Sequence, residues 1–287
     1  MGGSRAEALE EAVIRAAFAY LDAKRVHATR TAPDIGGAFP VLVDAGLERS
    51  SIQLAWDFTT GSEEHVTADM FRVRELTMQY LEQNTPAVQI DSIDERNDED
   101  LRIWRTIRGH VKGPLFLGST EPGTDLLRDE DGEVYQNGTV SFGFVAEIPI
   151  SVRDSWEPGR ITCFGHGFFG DRGATSQNRA ILATDAVNAI LVGIDWWGMS
   201  NSDETAVFGD IIGEPHQVMR FGDRVHQAMA NWIVMRAAIQ SSLIDLEAFR
   251  RPMELDSPGV VTRAGQNNAG QLIYNPDDVY FFGGSQG

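Results

Sequence analysis

The residues of this 287-residue chain best suited to chemistry lie at its end. Gly283-Gly284-Ser285-Gln286-Gly287 is a G-x-S-x-G pattern, and the β-favouring run Asp278-Val279-Tyr280-Phe281-Phe282 leads into it. A strand feeding this pattern predicts a sharp turn that pushes the serine hydroxyl outward as a nucleophile. Glycines on both sides let the turn close tightly and the following segment pass near the strand. The same five residues also have the composition of a flexible tail, as does Met1-Gly2-Gly3-Ser4. The strand in front and a second glycine motif upstream favour the turn.

That second motif is Gly165-His166-Gly167-Phe168-Phe169-Gly170, behind the short apolar strand Arg160–Phe164. The two motifs, in this order, resemble the α/β-hydrolase family over roughly residues 140–287. The resemblance implies Ser285 as nucleophile and the backbone N–H groups of Phe168 and Gln286 as an oxyanion hole. It implies that Gly167 lets the loop approach the substrate carbonyl, with His166, Gly283 and Gly287 supporting loop and turn. Two preorganised amides stabilise the anionic oxygen of an acyl-transfer intermediate without a cationic side chain.

The chain departs from the family pattern after the serine. In the family the acid and the histidine follow the nucleophile, whereas here only Gln286 and Gly287 do. The resemblance therefore implies the N-terminal portion of a longer hydrolase, truncated just after the elbow and a poor catalyst as given, since a serine without a base is a weak nucleophile. Upstream stand His27, His65, His110, His166, His216 and His226. His166 reads as a hydrogen-bonding residue of the loop. His216 and His226 lie in a long insertion and read as surface or helix-face residues.

The surrounding elements must position these motifs. Leu9, Val13, Ala16, Ala17, Tyr20 and Leu21 predict an amphipathic helix over 6–25, and residues 51–58 alternate as a half-buried strand does. A short helix is predicted over 67–82, then strands at 87–90, 101–111, 114–117 and 140–150, with a solvated loop at the acidic run 94–100. After 159 strands and helices alternate: a strand at 160–164, a helix at 173–188, a continuous apolar strand at 189–195, a long helix at 222–249 and a strand at 279–282. This order predicts an α/β fold, a doubly wound and mostly parallel sheet of incomplete α/β-hydrolase type behind a β-rich region with a leading helix. The expected division is 1–135 and 136–287, with an insertion at about 196–277. Trp196 and Trp197 come straight off a central strand, where open sheets bind ligands. They read equally well as a substrate pocket or as core.

Composition narrows the partners. A net charge of −18 argues against nucleic acid and anionic membrane surfaces. No apolar run reaches membrane-span length, and the N-terminus lacks the apolar core of a signal peptide. The single cysteine, Cys163, excludes an internal disulfide and reads as a buried thiol. No metal-ligand spacing, P-loop or dinucleotide fingerprint is present, so no cofactor or metal is implied. The expected partner is a small-molecule ester. A second expectation is self-association through the apolar strand at 279–282, left as a sheet edge. The competing function is a non-catalytic binding protein on a degenerate hydrolase scaffold.

Overall fold

The computed structural model describes residues 44–48, 51, 62–177, 184–213, 217 and 220–287. Residues 66–287 form one compact unit. Of residues 1–65 little is described beyond a turn at Asp44–Glu48, whose Glu48 carbonyl accepts from Ser51 Oγ at 2.7 Å. The helix expected at 6–25 and the strand expected at 51–58 lie outside the described residues, apart from Ser51.

Helix α1 (Glu63–Gln83) precedes a hairpin of β1 (Val88–Asp98) and β2 (Ile103–Pro114). There follow β3 (Thr139–Pro149), the short α2 (Ile150–Asp154), β4 (Gly159–Gly165), β5 (Ala189–Ile194), α3 (Glu204–Gly213) and α4 (Arg220–Ile239). A two-stranded ribbon, β6 (Thr262–Arg263) and β7 (Gln266–Asn267), leads to β8 (Tyr274–Gly283). One six-stranded sheet runs β1-β2-β3-β5-β4-β8. Its first three pairings are antiparallel, and β5–β4 and β4–β8 are parallel. The α/β architecture expected from the alternation is present, with its parallel part confined to β5-β4-β8. The strands of 88–114 belong to the same sheet as those beyond 136.

Why these segments form strands is visible in their burial. All six residues of β5 are buried, as a strand covered on both faces requires. Along β2, Val111 and Ile107 point into the core while Arg108, His110 and Lys112 are exposed. Helix α4 lays Ala228, Trp232 and Met235 against that core, beside Phe144, Val192 and Ile194. Where β2 ends at Pro114, the buried Gln227 of α4 takes over its pairing: it accepts from Phe116 N–H at 2.8 Å and donates to the Pro114 carbonyl at 2.9 Å. A buried amide with both ends used costs little, whereas an unpaired one is expensive.

Four segments differ from the sequence expectations. The strand expected at 114–117 is not formed: β2 ends at Pro114, and beyond it Leu117 makes an isolated bridge with Leu126. The acidic run at 94–100 is not a free loop, because β1 continues through Asp98. Cross-strand charge accounts for this: Glu95 stands opposite Arg105 and pairs with it at 2.5 Å. The segment from 172 is a 3-10 turn, Arg172–Ser176, where Asp171 accepts from Gly173 N–H, and residues 178–183 lie outside the described ones. The long helix stops at Ile239 rather than running to 249. Ser241 diverts its hydroxyl to the Ala237 carbonyl at 2.7 Å, the local competition by which serines interrupt helices.

Cys163 sits inside β4, 4% exposed. Burial pushes its thiol up to about 12, far above the range in which thiolate chemistry operates at neutral pH. The native protein at pH 8 is therefore expected to leave an aromatic disulfide reagent unreacted, and to release one equivalent of thiolate only after denaturant is added.

Candidate active site

The parallel register of β4 and β8 pairs Gly165 with Gly283, so both strands end at the same height. Each is followed at once by its glycine motif. Gly284 N–H donates to the Gly165 carbonyl at 3.2 Å, and Gly287 N–H returns to the Gly284 carbonyl at 3.1 Å. Ser285 lies at the apex, exposed, with φ +60°. A non-glycine residue in this region carries strain of about 1–3 kcal/mol, which persists only where the surroundings dictate it.

The surroundings here are backbone packed on backbone. A Cβ on Gly283 would lie 2.0 Å from the Gly287 carbonyl, and one on Gly287 would lie 2.1 Å from the Gly165 carbonyl oxygen. Both ends of the pattern are therefore glycine for a steric reason. Gly167 is the third close approach, since a Cβ there would lie 3.2 Å from Ser285 Cβ and 3.8 Å from its hydroxyl.

The loop at 165–170 is held from beneath. His166 is 2% exposed. Its Nε2 accepts from Trp196 N–H at 2.9 Å and its Nδ1–H donates to the Gly167 carbonyl at 2.8 Å. An amide can only donate and a carbonyl can only accept, so the tautomer is fixed and both ring nitrogens are occupied. Phe169 N–H donates to the Met199 carbonyl at 2.7 Å, and Asn201 N–H to the Gly170 carbonyl at 2.8 Å. Among the described residues, the N–H groups of Phe168 and Gln286 have no acceptor. These are the two amides that the family resemblance assigns to the oxyanion hole.

The turn that supports the loop hangs on a buried ion pair. Asp203, 1% exposed, accepts from Gly198 N–H at 2.8 Å, from Ser200 N–H at 3.2 Å and from Ser200 Oγ at 2.5 Å. Its other oxygen accepts from Arg224 Nε of α4 at 2.7 Å. Arg224, 2% exposed, also donates to the carbonyls of Thr120 and Glu121 and covers the Trp197 ring at 4.9 Å. Asp203 also forms a capping box with Ser200 just ahead of α3. Sequence reasoning missed its partner Arg224. Charged residues in an amphipathic helix give no sign of burial, and their partners are distant in sequence.

The remaining site residues fall as follows. Trp196 is 6% exposed and packs against Trp232 and Phe281 at 6.0 and 6.4 Å between ring centroids, so it offers little surface to a ligand. Trp197 is partly buried beneath Arg224. The Ser285 hydroxyl donates to Gln286 Oε1 at 2.7 Å. Among the described residues no histidine ring is bonded to Ser285. His226 is half-buried on α4; burial pushes it below the ordinary imidazole range, and the carboxylates of Asp223 and Asp69 partly offset this. His27 and His216 lie outside the described residues. No group of three or more metal-ligating side chains occurs among the described residues, and no described helix is long and apolar enough to cross a membrane.

No protein-family model and no curated protein matches the chain. Among solved structures, a Bacteroides fragilis protein assigned as an acetyl xylan esterase is similar with a TM-score of 0.38 and 10% identity, over 76% of this chain and 47% of that one. An acetyl xylan esterase from Paenibacillus sp. R4 is similar with a TM-score of 0.26 and 13% identity, over 50% of this chain and 34% of that one. The chain thus spans less than half the length of either.

The Asp203–Arg224 pair makes a sharp stability prediction. Removing one partner leaves the other charge buried and unpaired, at a cost of about 3–5 kcal/mol. Asp203→Ala is expected to lower the urea unfolding free energy by that amount, while Asp210→Ala on the more exposed α3 should change it by less than about 0.5 kcal/mol.

Proposed function

We propose that residues 136–287 carry the nucleophile and oxyanion half of a serine hydrolase acting on carboxylic esters through an acyl-enzyme on Ser285. One observation carries this reading: a strained, exposed serine lies against a glycine loop, with two amides near it that have no acceptor among the described residues. Ser285 Oγ would attack the ester carbonyl, and its proton must pass to a base. The developing oxyanion would take the N–H groups of Phe168 and Gln286, each worth about 3 kcal/mol in a preorganised site. Gly167 would leave room for the carbonyl, and His166 would hold the loop rather than move a proton. The described residues supply no base to the serine, so they would give slow acylation on their own.

That missing base also favours a second reading, a binding protein on a hydrolase-like scaffold. A fluorophosphonate probe separates the two. The first reading expects covalent labelling of Ser285, located by peptide mass and abolished in Ser285→Ala. Gly167→Ala should slow labelling about 100-fold, because its methyl would crowd Ser285 and the carbonyl's place. Absence of labelling even after prolonged incubation at pH 9, where solvent hydroxide can take the serine proton, or labelling that survives Ser285→Ala, would sink the first reading and leave the second.

A further inference from the structure

A cavity of about 460 Å³ opens over the sheet, lined from β2, β3 and the loops that follow β4 and β5. Its size falls within the roughly 300–1,000 Å³ of small-molecule sites. Val145 of β3 is its one large apolar wall. Gly143, on the same strand, leaves space for the Arg172 guanidinium, which a Cβ there would meet at 2.8 Å. Around the rim stand Arg108, Asp171, Arg172, Asp195, Asn201 and Ser202.

Most of these groups are set by one another. Asp195 accepts from the Arg172 backbone N–H at 2.7 Å and pairs with its guanidinium. Asp171 accepts from Gly173 N–H and from Asn201 Nδ2, both at 2.7 Å. Ser202 and Ser200 share a hydrogen bond at 2.8 Å. Arg108 is the exception. It is exposed on β2, and among the described residues its guanidinium has no hydrogen-bond or ion-pair partner.

We propose that this cavity binds a small hydroxylated monocarboxylate of the sugar-acid class, with its carboxylate on Arg108 and its hydroxyls on Asp171, Asn201 and Ser202. An unpaired guanidinium presents two parallel N–H donors, the geometry that a carboxylate matches. Fixed carboxylates beside it accept from hydroxyl donors, and an amide and a serine hydroxyl serve in either role. The same carboxylates repel a dianion more strongly than a monoanion, so a phosphate ester is disfavoured relative to a monocarboxylate. An apolar ligand would leave the Arg108 guanidinium without a partner. The site does not depend on Ser285 acting as a nucleophile.

The test is calorimetric titration of the intact chain with D-glucuronate. The expected result is saturable one-to-one binding, at least ten-fold tighter than that of glucose, which lacks the carboxylate, or acetate, which lacks the hydroxyls. Inorganic phosphate should bind more weakly than glucuronate. Arg108→Ala should weaken glucuronate at least ten-fold, and Arg108→Lys should recover only part of the loss. Asn201→Ala, a second variant should Arg108→Ala misfold, should weaken glucuronate several-fold and leave acetate unchanged. No saturable glucuronate binding, tighter binding of phosphate, or affinity indifferent to Arg108→Ala would overturn the proposal.

Discussion

Contact of backbone with backbone at the ends of β4 and β8 is the constraint on which the candidate site rests. Gly165, Gly283 and Gly287 meet with no room for a methyl group between them. Hydrophobic burial cannot specify such a contact. It is reached because parallel pairing fixes the two strands in register, and because the three residues lack side chains. Once they touch, the chain must reverse within a few residues, and the reversal places Ser285 in the left-handed region. The strain at the serine follows from the glycines around it.

A second layer holds the opposing loop. The Gly-His-Gly segment is suspended between the His166 ring below it and the turn at 198–203 beside it. That turn is set by Asp203 and Arg224, a pair placed where water cannot compete. Such pairs are weak evidence for net stability, since their desolvation is costly. They do impose one geometry, because several backbone N–H groups and carbonyls share the two charges. The loop at 119–124, the turn after β5 and helix α4 are thereby tied at a single point.

Much of this was legible in sequence, for local reasons. Glycine spacing marked the turn at 283–287, and the Gly-His-Gly motif marked its neighbour. Apolar continuity marked β5, and the helical periodicity of Trp232 and Ile239 marked α4. What was not legible depended on distant partners. The acidic run at 94–98 is a strand because Arg105 stands across from Glu95. α4 stops at Ile239 because of a serine hydroxyl that could equally have faced water. Arg224 and Arg108 look alike on paper, yet one is buried against a carboxylate and the other stands open on a cavity rim. Sequence period shows which face a residue occupies, but not what waits opposite.

The position of β8 has a kinetic consequence. Among the described residues it sits at the sheet edge beside β4, and Tyr280, Phe281 and Phe282 are about half exposed. β4 comes well before it in the chain, with β5, α3 and α4 in between. Closing so long a loop has a large entropic cost before any contact compensates it. Docking of β8 therefore belongs to the late part of folding, when β5 and α4 already give it a surface. Until then three aromatic residues and a row of unpaired amides face solvent together, and chain concentration during that interval decides between docking and self-association.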